Sequence, residues 1–222
     1  MKHIANIKTD FVEKFGLPRQ ASIIPELKGK IIFKEEYRNI DCIRGLGEFS
    51  HIWILWEFSE NINKPWKPLI RPPKLGGNKK IGVFASRSPF RPNPLGMSCV
   101  KLERIEENTS LGPVLYVSGI DMIDGTPIYD IKPYIPIADA IVYAKGGFTE
   151  RIDYKKIDVN IPYEIEERYD QNLIKEIVTI LSENIKPAYH KDDRIYGMSY
   201  KGFNISFHYY NDVIVIDEIR VI

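Results

Sequence analysis

The stretch HIWILWEF, residues 51–58, decides the fold of the N-terminal part of this chain. Its side chains alternate between two largely apolar faces, with Ile52, Ile54, Trp56 and Phe58 on one and His51, Trp53, Leu55 and Glu57 on the other. Period-two alternation predicts a β-strand. Because both faces are apolar, we expect this strand to lie deep in a sheet or in the wall of a barrel.

The neighbouring apolar segments are also short and strand-like. SCVKLERI (98–105) places Val100 and Leu102 on one face, which predicts a half-buried strand. VLYVSGID (114–121) is a further strand, and the Leu-Gly-Pro turn at 111–113 predicts a hairpin with the first. No helical period is convincing before about residue 165. The first part is therefore predicted to be mostly antiparallel β, as in a barrel or a sandwich.

The pattern changes near residue 163. YDQNLIKEIVTILSEN (169–184) has apolar residues at helical spacing, with Asp170 as the N-cap. FNISFHYY (203–210) and VIVIDEIRVI (213–222) follow, joined across Asn211-Asp212, a sequence typical of a hairpin turn. We predict two domains, a β-rich one over residues 1–160 and a small α+β one over 161–222.

Composition excludes several classes of protein. The 222 residues are 44% hydrophobic with a formal net charge of +1, which is typical of a globular protein without an overall charge bias toward nucleic acid. Cys42 and Cys99 have no Cys or His nearby at metal-ligand spacing, so no metal site is expected. The chain shows neither a signal peptide nor an apolar run long enough for a membrane span, which predicts a cytoplasmic protein without membrane association.

A rigid cationic loop is the first candidate for a binding site. ASRSPFRPNPLGMS (85–98) contains three prolines that restrict the backbone, and it carries Arg87 and Arg91, whose planar guanidinium groups suit a carboxylate or a phosphate. Gly96 permits close backbone approach beside them. Two other interpretations are a structural loop whose arginines pair with surface carboxylates and a Pro-x-x-Pro docking ligand. The tight strand-like flanks disfavour the second.

Further polar segments could complete such a site. GIDMIDGTPIYDIKPY (119–134) places Asp121, Asp124 and Asp130 around a turn, where they either bind a ligand or cap the turn. FGLPRQ (15–20) brings another arginine beside a proline, and the basic stretch IRPPKLGGNKK (70–80) is either a solvated face or a set of phosphate contacts. The dinucleotide-binding, phosphate-loop, zinc-protease and serine-hydrolase motifs are absent. The residues alone thus predict a β-rich domain that binds a polar ligand.

Several long segments resemble one family. GVFASRSPFRPNPLGMSCVKL (82–102) and GIDMIDGTPIYDIKPYIP (119–136) are similar to the hallmark segments of the TsaA-like family, whose characterised bacterial members are TrmO-type tRNA methyltransferases. The resemblance continues in FGLPRQ, RGLGEFSHIWILWEF, WKPLIRPPKLGGN and KPAYHKDDRIYGMSY, so it covers nearly the whole chain. It implies a β-barrel methyltransferase without a Rossmann fold, which uses S-adenosylmethionine. The implied substrate is N6-threonylcarbamoyladenosine in the anticodon arm of tRNA, methylated on N6 by a homodimer whose cofactor lies near the subunit interface.

The resemblance also implies site residues, which match the family motifs except that Ser86 and Met97 stand where threonine and leucine are common. The implied cofactor-binding residues are Pro18, Arg19, Gln20, His51, Ile52, Arg87, Met97, Asp121, Met122, Ile123 and Asp124. Asp124 and His51 are the candidates for a general base, although either could instead hold the cofactor, and on its strand His51 could simply be a hydrogen-bonded rim residue. The candidate substrate-binding residues are Arg91, Asn93, Arg71, Lys74 and Lys79.

Two alternative functions stay open at this point. One is a methyltransferase that uses the same cofactor on another RNA base or on a small molecule. The other is a non-catalytic RNA-binding barrel, which the sequence disfavours because its aromatic residues at 51–58 are predicted to be buried rather than exposed for stacking.

Overall fold

The computed structural model describes residues 1–72, 75, 79–152, 154–185 and 194–222. Its strands, in chain order β1 to β12, are Ala5–Thr9, Lys28–Phe33, His51–Glu57, Leu69–Ile70, Ile81–Gly82, Leu95–Thr109, Gly112–Ser118, Pro127–Pro133, Asp158–Asn160, Ile195–Tyr200, Phe203–Tyr210 and Val213–Val221. Its helices α1 to α3 are Pro136–Asp139, Tyr163–Glu166 and Gln171–Ser182. Short 3₁₀ turns connect several of the strands.

Six strands close into the predicted antiparallel barrel. Their order around the wall is β1-β2-β7-β6-β3-β8, and pairing of Ala5 with Ile128 joins the last strand to the first. The predicted hairpin of residues 98–121 is present as the antiparallel pair β6 and β7, which are two of the six barrel strands. The mostly β fold with a barrel rather than a Rossmann sheet is thereby confirmed.

Strand β3 is buried on one face only. Ile52, Ile54 and Trp56 point into the barrel and are at most 6% exposed, whereas the residues between them are partly exposed. The strand lies in the wall of the barrel between β6 and β8, as predicted, but only its inner face is fully buried. On the outer face, the Trp53 indole N–H donates a 3.0 Å hydrogen bond to Asp139 at the end of α1.

The C-terminal part is an α+β unit, as predicted. Helix α3 begins at the Asp170 N-cap, whose carboxylate accepts hydrogen bonds from the backbone N–H groups of Asn172 and Leu173. Asn211 and Asp212 form the turn between β11 and β12 with φ of 47° and 60°. A four-stranded sheet has the order β10-β11-β12-β9, in which β9 runs parallel to β12. Residues 158–160, which form β9, therefore belong to the second sheet. The domain boundary that the sequence placed at residue 160 stays a prediction.

A segment after β1 packs against the second sheet. The backbone N–H of Ser199 donates to Glu13, and Phe15 stacks on Tyr196 with ring centroids 5.9 Å apart. Gly16 has φ of +87°, and a Cβ there would lie 2.3 Å from the sulfur of Met198, so the position requires glycine. These contacts fix the entry into residues 17–20, which form one wall of the cavity described next.

Candidate functional site

A cavity of about 700 Å³ opens at the end of the barrel where β3 ends and β6 begins. This volume is typical of a small-molecule site. Four chain segments supply all of the lining residues except Ile185, and each of these segments was singled out from the sequence. The lining residues are Lys14, Leu17, Pro18, Arg19, Gln20, Trp56, Glu57, Phe58, Ser59, Glu60, Ser86, Arg87, Pro89, Arg91, Leu95, Gly96, Met97, Asp121, Met122, Ile123, Thr126 and Ile185.

The loop that carries the two arginines is held by its own polar groups as well as by its prolines. The Ser86 hydroxyl donates to the carbonyl of Val83 at 2.8 Å and accepts from the N–H of Ser88 at 3.2 Å. Arg91 Nη1 donates to the carbonyls of Ser86 at 2.8 Å and Val83 at 3.2 Å. Both bonds use a single nitrogen of a group with five N–H donors, so Arg91 can stabilise the loop and still present donors to the cavity.

Arg87 connects this loop to the opposite wall. Its guanidinium donates a hydrogen bond to Oε1 of Gln20, whose own amide donates to the carbonyl of Arg19. Burial lowers the pKa of the Arg19 guanidinium from its ordinary value, and the ring hydroxyls of Tyr209 and Tyr154 in the C-terminal part partly oppose this. Three arginines, Arg19, Arg87 and Arg91, therefore line the cavity, and guanidinium groups are suited to carboxylate binding.

Asp121 supplies a carboxylate on the inner wall of the cavity. Burial raises its pKa to about 6, while hydrogen bonds from the Ser98 hydroxyl and the Ala21 N–H and the charge of Arg87 act in the opposite direction. The Ser98 Oγ lies 2.6 Å from Asp121 Oδ1. A carboxylate whose pKa lies near neutrality can both bind a cation and hold a proton.

Two residues behind Asp121 were not predicted from the sequence. The buried Trp56 indole N–H donates to Ser98 Oγ at 2.9 Å, so a chain of hydrogen bonds runs from the barrel interior to the cavity. Gly96 was predicted to allow close approach of the backbone to a ligand. A Cβ at Gly96 would instead lie 2.3 Å from the Trp56 ring, so its first role is to admit that ring. The sequence gives no sign that Ser98, on a predicted strand, would accept a hydrogen bond from Trp56.

Three of the predicted cofactor contacts do not line the cavity. Both oxygens of Asp124 face away from it, since they accept hydrogen bonds from Lys8 Nζ and from the backbone N–H of Thr9, each at 3.0 Å. His51 begins β3 at the opposite end from Trp56, and its Nδ1 lies 2.9 Å from the Ser50 hydroxyl. The Ile52 side chain is fully buried in the barrel. The remaining predicted cofactor contacts meet at the cavity, namely Pro18, Arg19, Gln20, Arg87, Met97, Asp121, Met122 and Ile123.

The predicted substrate-binding residues lie at or outside the cavity. Arg91 lines it and is half-buried, while Asn93, Arg71 and Lys79 are exposed on the surface. Lys74 lies outside the described residues. The exposed cations are placed to meet a large anionic partner rather than a ligand enclosed in the cavity.

Within the part of the chain that the structure describes, no group of three His, Cys, Asp or Glu side chains is arranged to hold a metal ion. In the same residues, none of the helices combines the length and apolarity that crossing a membrane would require.

Comparison with protein families identifies both parts of the chain. Residues 6–140 match the model of the tRNA-methyltransferase O N-terminal domain, and residues 156–222 match that of the TrmO C-terminal domain. The first match covers all of the barrel strands except Ala5, and the second covers the whole of the second sheet.

Individual proteins match over nearly their full length. The tRNA (adenine(37)-N6)-methyltransferase of Escherichia coli is 36% identical over 92% of this chain and 90% of its own. A putative S-adenosylmethionine-dependent methyltransferase of Pseudomonas aeruginosa, named RcsF, is 34% identical over 93% and 90%. The crystal structure of TrmO from Pseudomonas aeruginosa superposes with a TM-score of 0.75 at 29% identity, covering 98% of this chain and 97% of the other.

Proposed function

The chain belongs to the tRNA-methyltransferase O family, and from this membership we propose that it transfers a methyl group from S-adenosylmethionine to N6 of adenosine 37 in tRNA. It is an enzyme, and the non-catalytic RNA-binding barrel is set aside. The observation that carries the assignment is the cavity, where all of the implied cofactor contacts except His51, Ile52 and Asp124 converge.

The residues of the cavity fit S-adenosylmethionine. Arg87 can bind the carboxylate of its methionine part, and Gln20 holds that guanidinium in place. The side chains of Leu17, Met97 and Ile123 supply apolar wall for the adenine and the aliphatic chain. When bound, this cofactor supplies an electrophilic methyl group on a sulfonium centre.

The main contribution of the protein is alignment of the two reactants, since a rigid loop and a barrel end fix the positions of the groups around the cavity. The substrate nitrogen is a weak nucleophile while it keeps its proton. We assign the acceptance of that proton to the Asp121 carboxylate, because Asp121 lines the cavity with a pKa of about 6, whereas Asp124 and His51 do not line it. Ser98 orients the accepting carboxylate through its 2.6 Å hydrogen bond.

Arg91 supports N6-threonylcarbamoyladenosine as the form of adenosine that is methylated. The cofactor has one carboxylate, which Arg87 can bind, and Arg91 is a further arginine that lines the same cavity. The threonyl group of this nucleoside provides a second carboxylate. A substrate without an acid group would leave the free donors of Arg91 without a counter-charge. This applies to unmodified adenosine, to another RNA base and to an uncharged small molecule.

We further propose that the protein acts as a homodimer, as the family resemblance implies. The segment after β8, residues 134–143, exposes a run of large apolar side chains, and isolated soluble chains rarely expose such contiguous patches. The exposed fractions are Ile135 44%, Ile137 97%, Ile141 60%, Val142 96% and Tyr143 91%. A second copy of the chain is the occupant that we propose for this apolar segment.

The apolar segment also lies beside the predicted contacts that the cavity leaves out. The Tyr134 N–H donates to the carbonyl of His51 at 3.0 Å. An interface built on this segment would therefore include the His51 end of β3. We therefore propose that His51, together with the backbone of Ile52, contributes to the cofactor site of the partner subunit. The cytoplasmic location stays a prediction.

The assay that tests the proposed function uses the purified protein, S-adenosylmethionine with a deuterated methyl group, and tRNA with or without the threonylcarbamoyl modification. Mass spectrometry of the nucleosides should show the labelled methyl group only on the modified adenosine. Arg87→Lys should weaken cofactor binding in calorimetry, and Arg91→Lys should raise the KM for tRNA far more than it changes cofactor binding. Equal losses for Arg91→Lys in both measurements, or labelling of unmodified adenosine, would reject the substrate assignment.

A further inference from the structure

Two aromatic side chains outside the cavity are strongly exposed. Phe84 is 75% exposed and Trp66 is 52% exposed. They belong to neighbouring stretches of backbone, because the N–H of Val83 donates to the carbonyl of Pro68 at 3.0 Å and β4 pairs antiparallel with β5. We call residues 64–72 and 79–91 the basic ribbon.

The charge around these aromatics is one-sided. Between residues 61 and 102 the sequence contains nine Lys or Arg residues and no Asp or Glu, although the whole chain has a net charge of only +1. The remaining residues are therefore net acidic. Lys64, Arg71, Lys79 and Lys80 are exposed on the ribbon. Such a local concentration of positive charge attracts the phosphates of a nucleic acid, whatever the total charge is.

Phe84 lies directly beside the wall of the cavity. The guanidinium of Arg91 lies 5.7 Å from the centre of the Phe84 ring, and Arg91 is itself a lining residue of the cavity. The same arginine is fixed by hydrogen bonds to Val83 and Ser86, on either side of Phe84. The Phe84 ring is therefore held on a turn that Arg91 stabilises, next to one of the residues that line the cavity.

We propose that Phe84, with Trp66 as a second surface, is the stacking platform for an unpaired base of the anticodon loop adjacent to the methylated adenosine. This inference rests on the proposed function and names how the same site recognises its RNA. Proteins recognise RNA loops by stacking splayed bases on aromatic rings and by binding the backbone with cations. The ribbon provides both groups at the rim of the cavity.

The charge of the ribbon argues against a protein partner on this face. An apolar docking surface is normally depleted of lysine, whereas Lys67 Nζ lies 4.8 Å from the centre of the Phe90 ring within the ribbon. The exposed segment at 134–143 contains a single charged residue, Asp139, and has the mainly apolar composition expected for contact with a second copy, whereas the ribbon does not.

The test measures binding of an anticodon stem-loop RNA to the full-length protein. Phe84→Ala and Trp66→Ala should each weaken RNA binding by about tenfold, the loss typical of one stacked base. Their affinity for S-adenosylmethionine should equal that of the wild type. Tyr210→Ala is the matched control, since Tyr210 is 64% exposed but lies on β11 of the second sheet, and it should bind the RNA normally.

A second variant reports stacking directly. Phe84→Trp should keep the affinity for RNA, and its additional tryptophan emission, obtained by difference from the wild type, should be quenched by the stem-loop but not by a fully paired duplex. Wild-type RNA affinity of Phe84→Ala, or emission of Phe84→Trp that the stem-loop leaves unchanged, would overturn the proposal. If those results occur in a protein that methylates tRNA, only the platform fails. If the wild type methylates no tRNA, the proposed function fails with it.

Discussion

The hydroxyl of Ser98 lies 2.6 Å from Oδ1 of Asp121, and this contact connects the barrel core to the cavity. Ser98 is only 2% exposed and accepts a second hydrogen bond from the Trp56 indole. A single hydroxyl thus satisfies a buried donor on one side and orients a cavity carboxylate on the other. Its removal should affect stability and the chemistry of the site together.

Ser98→Ala should lower the free energy of unfolding by about 1–3 kcal/mol, because the buried Trp56 N–H loses its partner. It should also raise the pKa of Asp121 further, since the hydrogen bond from Ser98 favours the ionised form. Urea denaturation measures the first effect and carbon NMR of the carboxyl group the second.

A double-mutant cycle provides the control for this prediction. In a Trp56→Phe background the indole donor is absent, so Ser98→Ala should cost clearly less than it does in the wild type. Equal costs in the two backgrounds would show that the Trp56–Ser98 hydrogen bond does not stabilise the fold.

The stability of the protein should fall as the pH rises from about 4 to about 6 because of Asp121. Its pKa is raised from 3.8 to about 6, so within this range the folded state keeps a proton that the unfolded chain has lost. The contribution of Asp121 to the free energy of unfolding therefore decreases with increasing pH. Asp121→Asn should remove this slope, which we expect to amount to roughly 1–2 kcal/mol after allowing for partial solvent exposure. Identical pH profiles of the variant and the wild type would contradict the raised pKa.

Gly96→Ala should destabilise the barrel by about 1–3 kcal/mol or more, since the new methyl group would meet the Trp56 ring. Gly82→Ala is a matched control in the same region, because no heavy atom lies within 4 Å of its added Cβ, and it should change stability by less than about 0.5 kcal/mol. Chemical denaturation compares the two variants. A similar effect of both substitutions would mean that Trp56 moves freely away from Gly96.

Ile137→Asp and Val142→Asp should each convert the proposed homodimer to monomers. Both side chains are more than 95% exposed in the single chain, at 97% and 96%, so the substitutions should not disturb its fold. Analytical ultracentrifugation measures the mass. Val12→Asp, at an exposed apolar position in the N-terminal domain, should leave the dimer intact. A wild type that sediments as a single chain, or variants that remain dimeric, would reject this interface.

The sequence predicted most of the strands and turns because their signals are local. Alternation at 51–58, the cap at Asp170 and the turn at Asn211-Asp212 each depend on residues close together in the chain. The position of β3 in the barrel wall was predicted correctly, but the partial exposure of its outer face was not, because apolar residues do not indicate what covers them. The exposure of Phe84 and Trp66 could not be predicted for the same reason, because it depends on which parts of the chain pack around the ribbon.

The sequence predicted which chain segments form the candidate site, but not how their side chains are oriented within it. FGLPRQ, the arginine loop and GIDMIDGTP do meet at one cavity, as their unusual composition and their resemblance to one family indicated. Which carboxylate faces the cavity was not predictable, since Asp121 and Asp124 flank the same turn and only the register of β1 directs Asp124 toward Lys8. Ser98 acts through its contacts with Trp56, which lies 42 positions earlier in the chain, and with Asp121, which lies 23 positions later. No local sequence pattern reveals contacts over such separations.

The most direct test of the central claim is nucleoside mass spectrometry of total tRNA from cells that lack this gene. We predict that the N6-methylated form of threonylcarbamoyladenosine disappears, that its unmethylated form accumulates, and that the wild-type gene restores methylation. Unchanged methylation of this nucleoside in the deletion cells would contradict the assignment.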